Sequence, residues 1–287
     1  MRRVRAWLLI VRSEARTIIF AWSLTVSVIV ASEFRVGLLR LVTVSLGYLL
    51  LSLSIYIFSA MMDVNEDRIN SPSRPLASGA ASHEDAAILV CLMGATALFT
   101  AFSISLATVA FFIIAFLLGI SYSTPPIRAK EHFPHKVVVP VTGAIICSLT
   151  GGVIIGQISA AVVLASIAFA IFSLVTLFLG DVADLKGDLS AGVRSLSILI
   201  GSENTVKITL TLPLLIDALG LLFYQAANLN MLFPLMLTAA SGYSSLTITK
   251  LIGKSEDVKR CRAVKSKMRV MHLVMQLSFI IGVVRLP

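Results

Sequence analysis

Asp63 and Asp67 stand four residues apart where a long apolar run ends, in SAMMDVNEDRINSPSRPLASG (59–79). On a helix that spacing puts both carboxylates on one face, about a turn apart, so both can reach one cation. A second stretch, GDVADLKGDLSAGVRS (180–195), places Asp181, Asp184 and Asp188 at i, i+3 and i+7, again one acidic stripe. Carboxylates at the ends of membrane helices need a partner to stay ionised, and a divalent cation can serve both stretches. Each cluster is flanked by cations: Arg74 follows the first, and Lys186 and Arg194 lie within the second. A third segment between them, SYSTPPIRAKEHFPHK (121–136), is stiffened by proline and offers Arg128 as a bidentate fork and Lys130 as a mobile point charge. Carboxylates that hold Mg²⁺, with Arg and Lys on the outer oxygens, suit a bound polyanion. The bland reading of each segment taken alone is a solvated helix end or a loop charge. Recurrence of spacing and flanking charge weighs against it.

The elements that must position these groups are membrane helices. Of 287 residues, 57% are hydrophobic and 14% charged, and the mean hydropathy is +0.94, outside the range of soluble domains. Apolar runs of about 18 residues or more give nine expected spans, at 15–32, 36–62, 85–103, 104–122, 137–155, 159–180, 206–224, 229–249 and 268–285. The division between the third and fourth rests on a short polar break near Phe102. Connections near Phe102, Gln157 and Asn228 carry no Lys or Arg, whereas the alternate ones hold Arg68, Arg74, Arg128, Lys130, Lys136, Lys186, Arg194 and a basic cluster over 250–269. The positive-inside rule then sets the N-terminus and both acidic stretches in the cytoplasm and the C-terminus outside. The net charge of +9 is read as orientation signal and anionic-headgroup contact, with no nucleic acid as partner. The expectation is an all-α, multi-span integral membrane bundle, one domain over 1–287, with a cytoplasmic cap of loops and short helices. Pro72 and Pro75 end the first acidic helix near Asn70. Cys91, Cys147 and Cys261 have no metal spacing and read as small packing residues, as His132 and His135 read as interfacial side chains.

The three segments together resemble the UbiA-type intramembrane prenyltransferases. Asp63, Asp67, Arg68, Ile69, Asn70, Pro72, Arg74, Pro75, Ser78 and Gly79 follow the family's first motif, N-D-x-x-D-x-x-x-D with its R-P-x-x-S-G ending. Tyr122, Ser123, Pro125, Pro126, Arg128 and Lys130 resemble the Y-S-x-P-P-x-R-x-K loop, and Asp181, Asp184 and Asp188, continuing through Gly192, Arg194, Ser195 and Gly201, the second motif. The chain departs from the pattern where Ser59 and Ala60 replace the opening Asn-Asp pair.

The resemblance implies transfer of a polyprenyl group, such as geranylgeranyl, from its diphosphate to a lipid or aromatic acceptor, with Mg²⁺ as cofactor. It implies that Asp63 and Asp67 hold one Mg²⁺, that Asp181, Asp184 and Asp188 hold another, and that Arg74, Arg128, Lys130, Lys186 and Arg194 contact the diphosphate. The wording DRINSPSRPLASG resembles both the members that prenylate geranylgeranylglyceryl phosphate in archaeal ether-lipid synthesis, the slightly favoured acceptor, and the chlorophyll-synthase-like members, with quinone- and haem-pathway acceptors as further alternatives. Tyr56, Phe58, Phe116 and Phe178 are candidate rings for a water-poor chamber. Asp217, deep in the seventh span, is expected to hydrogen-bond a neighbouring helix, and would otherwise act as an acceptor contact or as the coupling site of a secondary transporter. His272 and Gln276 read as packing residues. A purely structural membrane scaffold is the remaining alternative.

Overall fold

Apolar segments that cross a bilayer have to satisfy their backbone groups internally, and here they do so as helices. The computed structural model describes residues 2–190 and 192–285, apart from the side chains of Arg2, Arg16, Phe20 and Asn70. Among the described residues there are thirteen α-helices and no strand. In chain order they are α1 (Arg2–Glu14), α2 (Ile18–Ser32), α3 (Leu38–Met62), α4 (Val64–Asn70), α5 (His83–Phe102), α6 (Leu106–Ser123), α7 (His135–Ile155), α8 (Ala160–Ala183), α9 (Leu185–Ser190), α10 (Leu196–Ile200), α11 (Ser202–Phe223), α12 (Leu232–Ile248) and α13 (Val258–Gly282).

Each of the nine expected spans falls on one helix, namely α2, α3, α5 to α8, and α11 to α13. Among the described residues α3, α5, α6, α7, α8 and α11 are long and apolar enough to cross a membrane. The other three differ for physical reasons: α2 and α12 have only 15 and 17 residues, and α13 opens with the basic run from Lys259 to Arg269. The short polar break near Phe102 divides two helices as expected. There α5 ends and Ser105 caps α6, its Oγ accepting the Thr108 N–H at 3.1 Å.

The most enclosed helix is α8, apolar all round, which packs on α2, α7, α11 and α13. Phe169, Phe172 and Leu179 of α8 meet Ile216 of α11, Phe233 of α12 and Phe279 of α13 in one core cluster. A second cluster joins α2, α3, α5, α6 and α7 through Leu24, Leu51, Ala97, Phe112 and Ile154. The first and last long helices close on each other where Gln276 Nε2 donates to Ser23 Oγ at 2.7 Å and to the Ile19 carbonyl at 3.1 Å. In lipid, helices adhere by close packing rather than by excluding water. Gly151 shows this, for a Cβ there would lie 2.6 Å from Ser27 Cβ on α2.

Two features place the candidate site. α1 is amphipathic, and its Ala6 and Ile10, one turn apart, bury against Leu53, Ile57 and Ala60 of α3 and Leu89 of α5. α3 and α8 then end in the same way. Asp63 (φ −98°, ψ 8°) and Asp184 (φ −105°, ψ 11°) each leave helical geometry while still donating their N–H to the carbonyl four residues back. A short helix follows each break, α4 and α9, and the two touch.

Candidate active site

Because the helix pauses at Asp63 and resumes at Val64, the Asp67 N–H still reaches the Asp63 carbonyl, at 2.8 Å. The same bond recurs from Asp188 to Asp184 at 3.0 Å, so Asp63/Asp67 and Asp184/Asp188 are carried on equivalent turns. The chain between α6 and α7 lies between them. Lys130 Nζ stands 2.6 Å from Asp63 Oδ1 and also contacts Glu66. Arg128 pairs with Glu66 and, at 2.7 Å, with Glu131; its backbone is left-handed (φ 35°), unusual for a residue with a Cβ. At the start of α7, Lys136 Nζ lies 2.8 Å from Asp181 and 2.9 Å from Asp188. The Arg194 N–H donates to the Glu131 carbonyl at 2.8 Å, tying the second acidic stretch to the same loop. All three sequence segments therefore meet at one end of the bundle.

Asp67 takes a different partner. Arg74 Nη1 is 2.6 Å from its Oδ2, while Arg74 Nη2 donates to both carboxylate oxygens of Glu14 at 3.1 Å. α1 thus reaches into the cap through a buried carboxylate. Asp184 is met from α13 by Arg262 at 3.4 Å, and Lys265 Nζ lies 2.5 Å from where a Cβ on Gly180 would be. Burial raises the Asp63 and Asp67 carboxyls above their ordinary values, with Lys130 and Arg74 opposing part of that rise. Burial pushes Arg74 down, but Glu14 and Asp67 outweigh it and hold the guanidinium more firmly charged than usual.

Of the ten residues singled out from sequence, eight lie in this network. Lys186 and Arg194 lie beside it with exposed side chains, which form no ion pair among the described residues. Glu14, Glu66, Glu131, Lys136 and Arg262 were not singled out. Glu14 and Arg262 come from elements 60 and 78 residues away from their partners, and no local pattern links such positions. Lys136 carried a signal, being the last charge of the basic loop.

Among the described residues no three His, Cys, Asp or Glu side chains converge closely enough to hold a metal by themselves. The donor set still fits Mg²⁺, which favours carboxylate oxygens, needs only one or two of them, and completes its shell with phosphate oxygens and water. To hold a metal, these carboxylates would have to exchange Lys and Arg for it.

The departure at 59–60 has a structural account. Ser123 Oγ donates to Ser59 Oγ at 2.9 Å, so a hydroxyl pair joins α6 to α3 beside the cap. Ala60 faces the other way, into the apolar cluster under α1. The side chain of Asn70 lies outside the described residues. His132 and His135 are exposed. Of the four candidate rings, Phe178 is buried, Phe58 is half-buried and Phe116 packs on a core cluster, while Tyr56 keeps 39% of its surface exposed. Asp217 accepts a hydrogen bond from Thr238 Oγ1 of α12 at 2.7 Å. His272 packs against Phe169 and Phe172.

The model of the UbiA prenyltransferase family matches residues 20–274. A digeranylgeranylglyceryl phosphate synthase of Thermococcus sibiricus is 27% identical over 234 residues, covering 79% of this chain and 78% of its own. A homogentisate geranylgeranyltransferase of Hordeum vulgare is 29% identical over 233 residues, 72% of this chain and 55% of its own length. Among solved structures, a UbiA homologue from Archaeoglobus fulgidus bound to GPP and Mg²⁺ superposes with a TM-score of 0.70 at 18% identity, covering 94% of this chain and 99% of that one.

Proposed function

The chain belongs to the UbiA prenyltransferase family, and from that membership we propose that it transfers a geranylgeranyl-type group from its diphosphate to geranylgeranylglyceryl phosphate, with Mg²⁺ as cofactor. The observation that carries the reading is the convergence of Lys130 on Asp63 and of Lys136 on Asp181 and Asp188. That convergence brings two distant acidic motifs to one polar cap over an apolar bundle. The length of a prenyl chain lies among the helices, and its diphosphate reaches the cap.

Asp63 and Asp67 on one side, and Asp181, Asp184 and Asp188 on the other, would hold the metal. Bound Mg²⁺ supplies charge neutralisation on the diphosphate oxygens. Arg74, Arg128 and Lys130 turn from the carboxylates to the outer oxygens and hold the diphosphate in register, with the exposed Lys186 and Arg194 closing over it. The allylic C–O bond then breaks with its electron pair leaving on the pyrophosphate, where these cations stabilise the growing charge. The acceptor oxygen forms the new bond to the prenyl carbon, and its proton passes to the pyrophosphate. Around the cation the bundle excludes water, and the exposed ring of Tyr56 offers a π-face.

The glycerol phosphate acceptor is supported by the Thermococcus sibiricus relative. The barley relative supports an aromatic acceptor as the second reading. Purified protein incubated with radiolabelled geranylgeranyl diphosphate and each acceptor, with Mg²⁺ or with a chelator, separates them. Label in a doubly prenylated glycerol phosphate only when Mg²⁺ is present is the expected result. Label in homogentisate alone replaces the acceptor, and equal turnover under chelation removes the metal.

A further inference from the structure

α13 carries two basic faces. Arg262 and Lys265 look toward α8 and the cap, as their approach to Asp184 and Gly180 shows. Arg260, Val264 and Lys267, at i, i+4 and i+7, lie on the opposite side. There they line, with Ala263, Thr247 and Lys250 of the chain leaving α12, and Lys254 of the connecting loop, a cavity of about 370 Å³. Four cations and no carboxylate face that space. Among the described residues Lys250, Lys254 and Lys267 form no ion pair, and Arg260 has only Asp257, at 3.7 Å. The cap differs in kind, since there every acidic-motif carboxylate already has a cation.

We propose that this groove is a binding site for the phosphate of an anionic lipid, separate from the diphosphate site and independent of the prenyl-transfer reading. The four cations make the groove strongly positive, and toward a phosphate Arg260 can offer two parallel donors while the lysines supply point charges. The surroundings favour a phosphate that carries hydrocarbon. Tyr243 and Leu246, just before Thr247 on α12, and Val270, just after Lys267 on α13, are exposed by 48%, 69% and 54%. α12 runs toward the connecting loop and α13 runs away from it, so these three lie deeper along the bundle than the cations. A headgroup seated among the lysines would lay its chains on that apolar strip. Basic side chains at the membrane surface attract anionic lipid, and the groove adds a place for the phosphate itself.

The test is native mass spectrometry of the full chain with phosphatidylglycerol, phosphatidylcholine or inorganic phosphate. The comparison is between the wild type, the double variant Lys254→Glu, Lys267→Glu, and a control, Lys207→Glu, Lys259→Glu, which changes as much charge at exposed positions outside the groove. The expected result is one retained phosphatidylglycerol, held about tenfold more tightly than phosphatidylcholine, lost in the groove variant and kept in the control. Binding of geranylgeranyl diphosphate should be the same in all three proteins. Equal retention of the two lipids, or equal loss in the control, overturns the site. Inorganic phosphate bound as tightly as the lipid overturns the assignment of a lipid source.

Discussion

Lys130 reaches Asp63 across 67 residues of chain, Nζ to Oδ1 at 2.6 Å, and the same ammonium touches Glu66. On the proposed function, a carboxylate that would hold the metal is thus paired with a cation that would hold the diphosphate. Polar groups taken from water at the edge of a membrane need such partners. The pairing leaves neither charge without a partner, and metal loading would have to exchange one for the other.

Asp63→Asn tests that exchange. Lys130 keeps Glu66, so no cation is orphaned and the fold should survive. Mg²⁺-dependent prenyl transfer is expected to fall about a hundredfold or more, with the thermal unfolding midpoint within a few degrees of wild type. Near-normal turnover in a radiolabel assay would reject the role given to Asp63.

Lys136 bridges Asp181 and Asp188 with only 8% of its side chain exposed, against 4% for Asp181. Lys136→Met leaves two negative groups without their cation, and a loss of about 3 kcal/mol is expected from breaking such a buried pair. Adding Asp181→Asn should recover part of that loss. Denaturation of the two variants and the matching single one in detergent gives the coupling; additive losses would mean that the bridge contributes nothing.

On the proposed function, Glu14 would act through Arg74 rather than on substrate. Glu14→Gln removes the charge of one anchor and leaves Arg74 a neutral amide oxygen in its place, beside Asp67. The KM for the prenyl diphosphate should rise about fivefold, the equivalent of ~1 kcal/mol, with kcat changed much less. A fall confined to kcat, or an equal effect from Glu14→Asp, would contradict a positioning role.

Ala60 has 6% exposure among Ile10, Ile57, Val64 and Leu76. Restoring the family's carboxylate by Ala60→Asp should therefore lower stability, by about 2 kcal/mol for a polar group buried without a partner, and leave Mg²⁺ dependence unchanged. Thermal unfolding and a Mg²⁺ titration of turnover decide it, and a tighter metal requirement in a stable variant would show that position 60 turns to the cap.

The sequence by itself determined the class and most of the cap. Hydropathy fixes a helix wherever a long apolar run must satisfy its own backbone, which is why all nine expected spans fall on helices, even the two that part at Ser105. Spacing makes Asp63/Asp67 and Asp184/Asp188 pairs on single turns, because i and i+4 share a face. Only the tertiary structure decided which cation meets which carboxylate. Lys136, Glu14 and Arg262 come from distant elements, and their contacts depend on how α1, α7 and α13 pack against α3 and α8, a long-range arrangement with no local period to announce it. The same packing turned Ala60 toward α1 and Ser59 toward Ser123, and split the basic run of α13 into a face for the cap and a face for the groove.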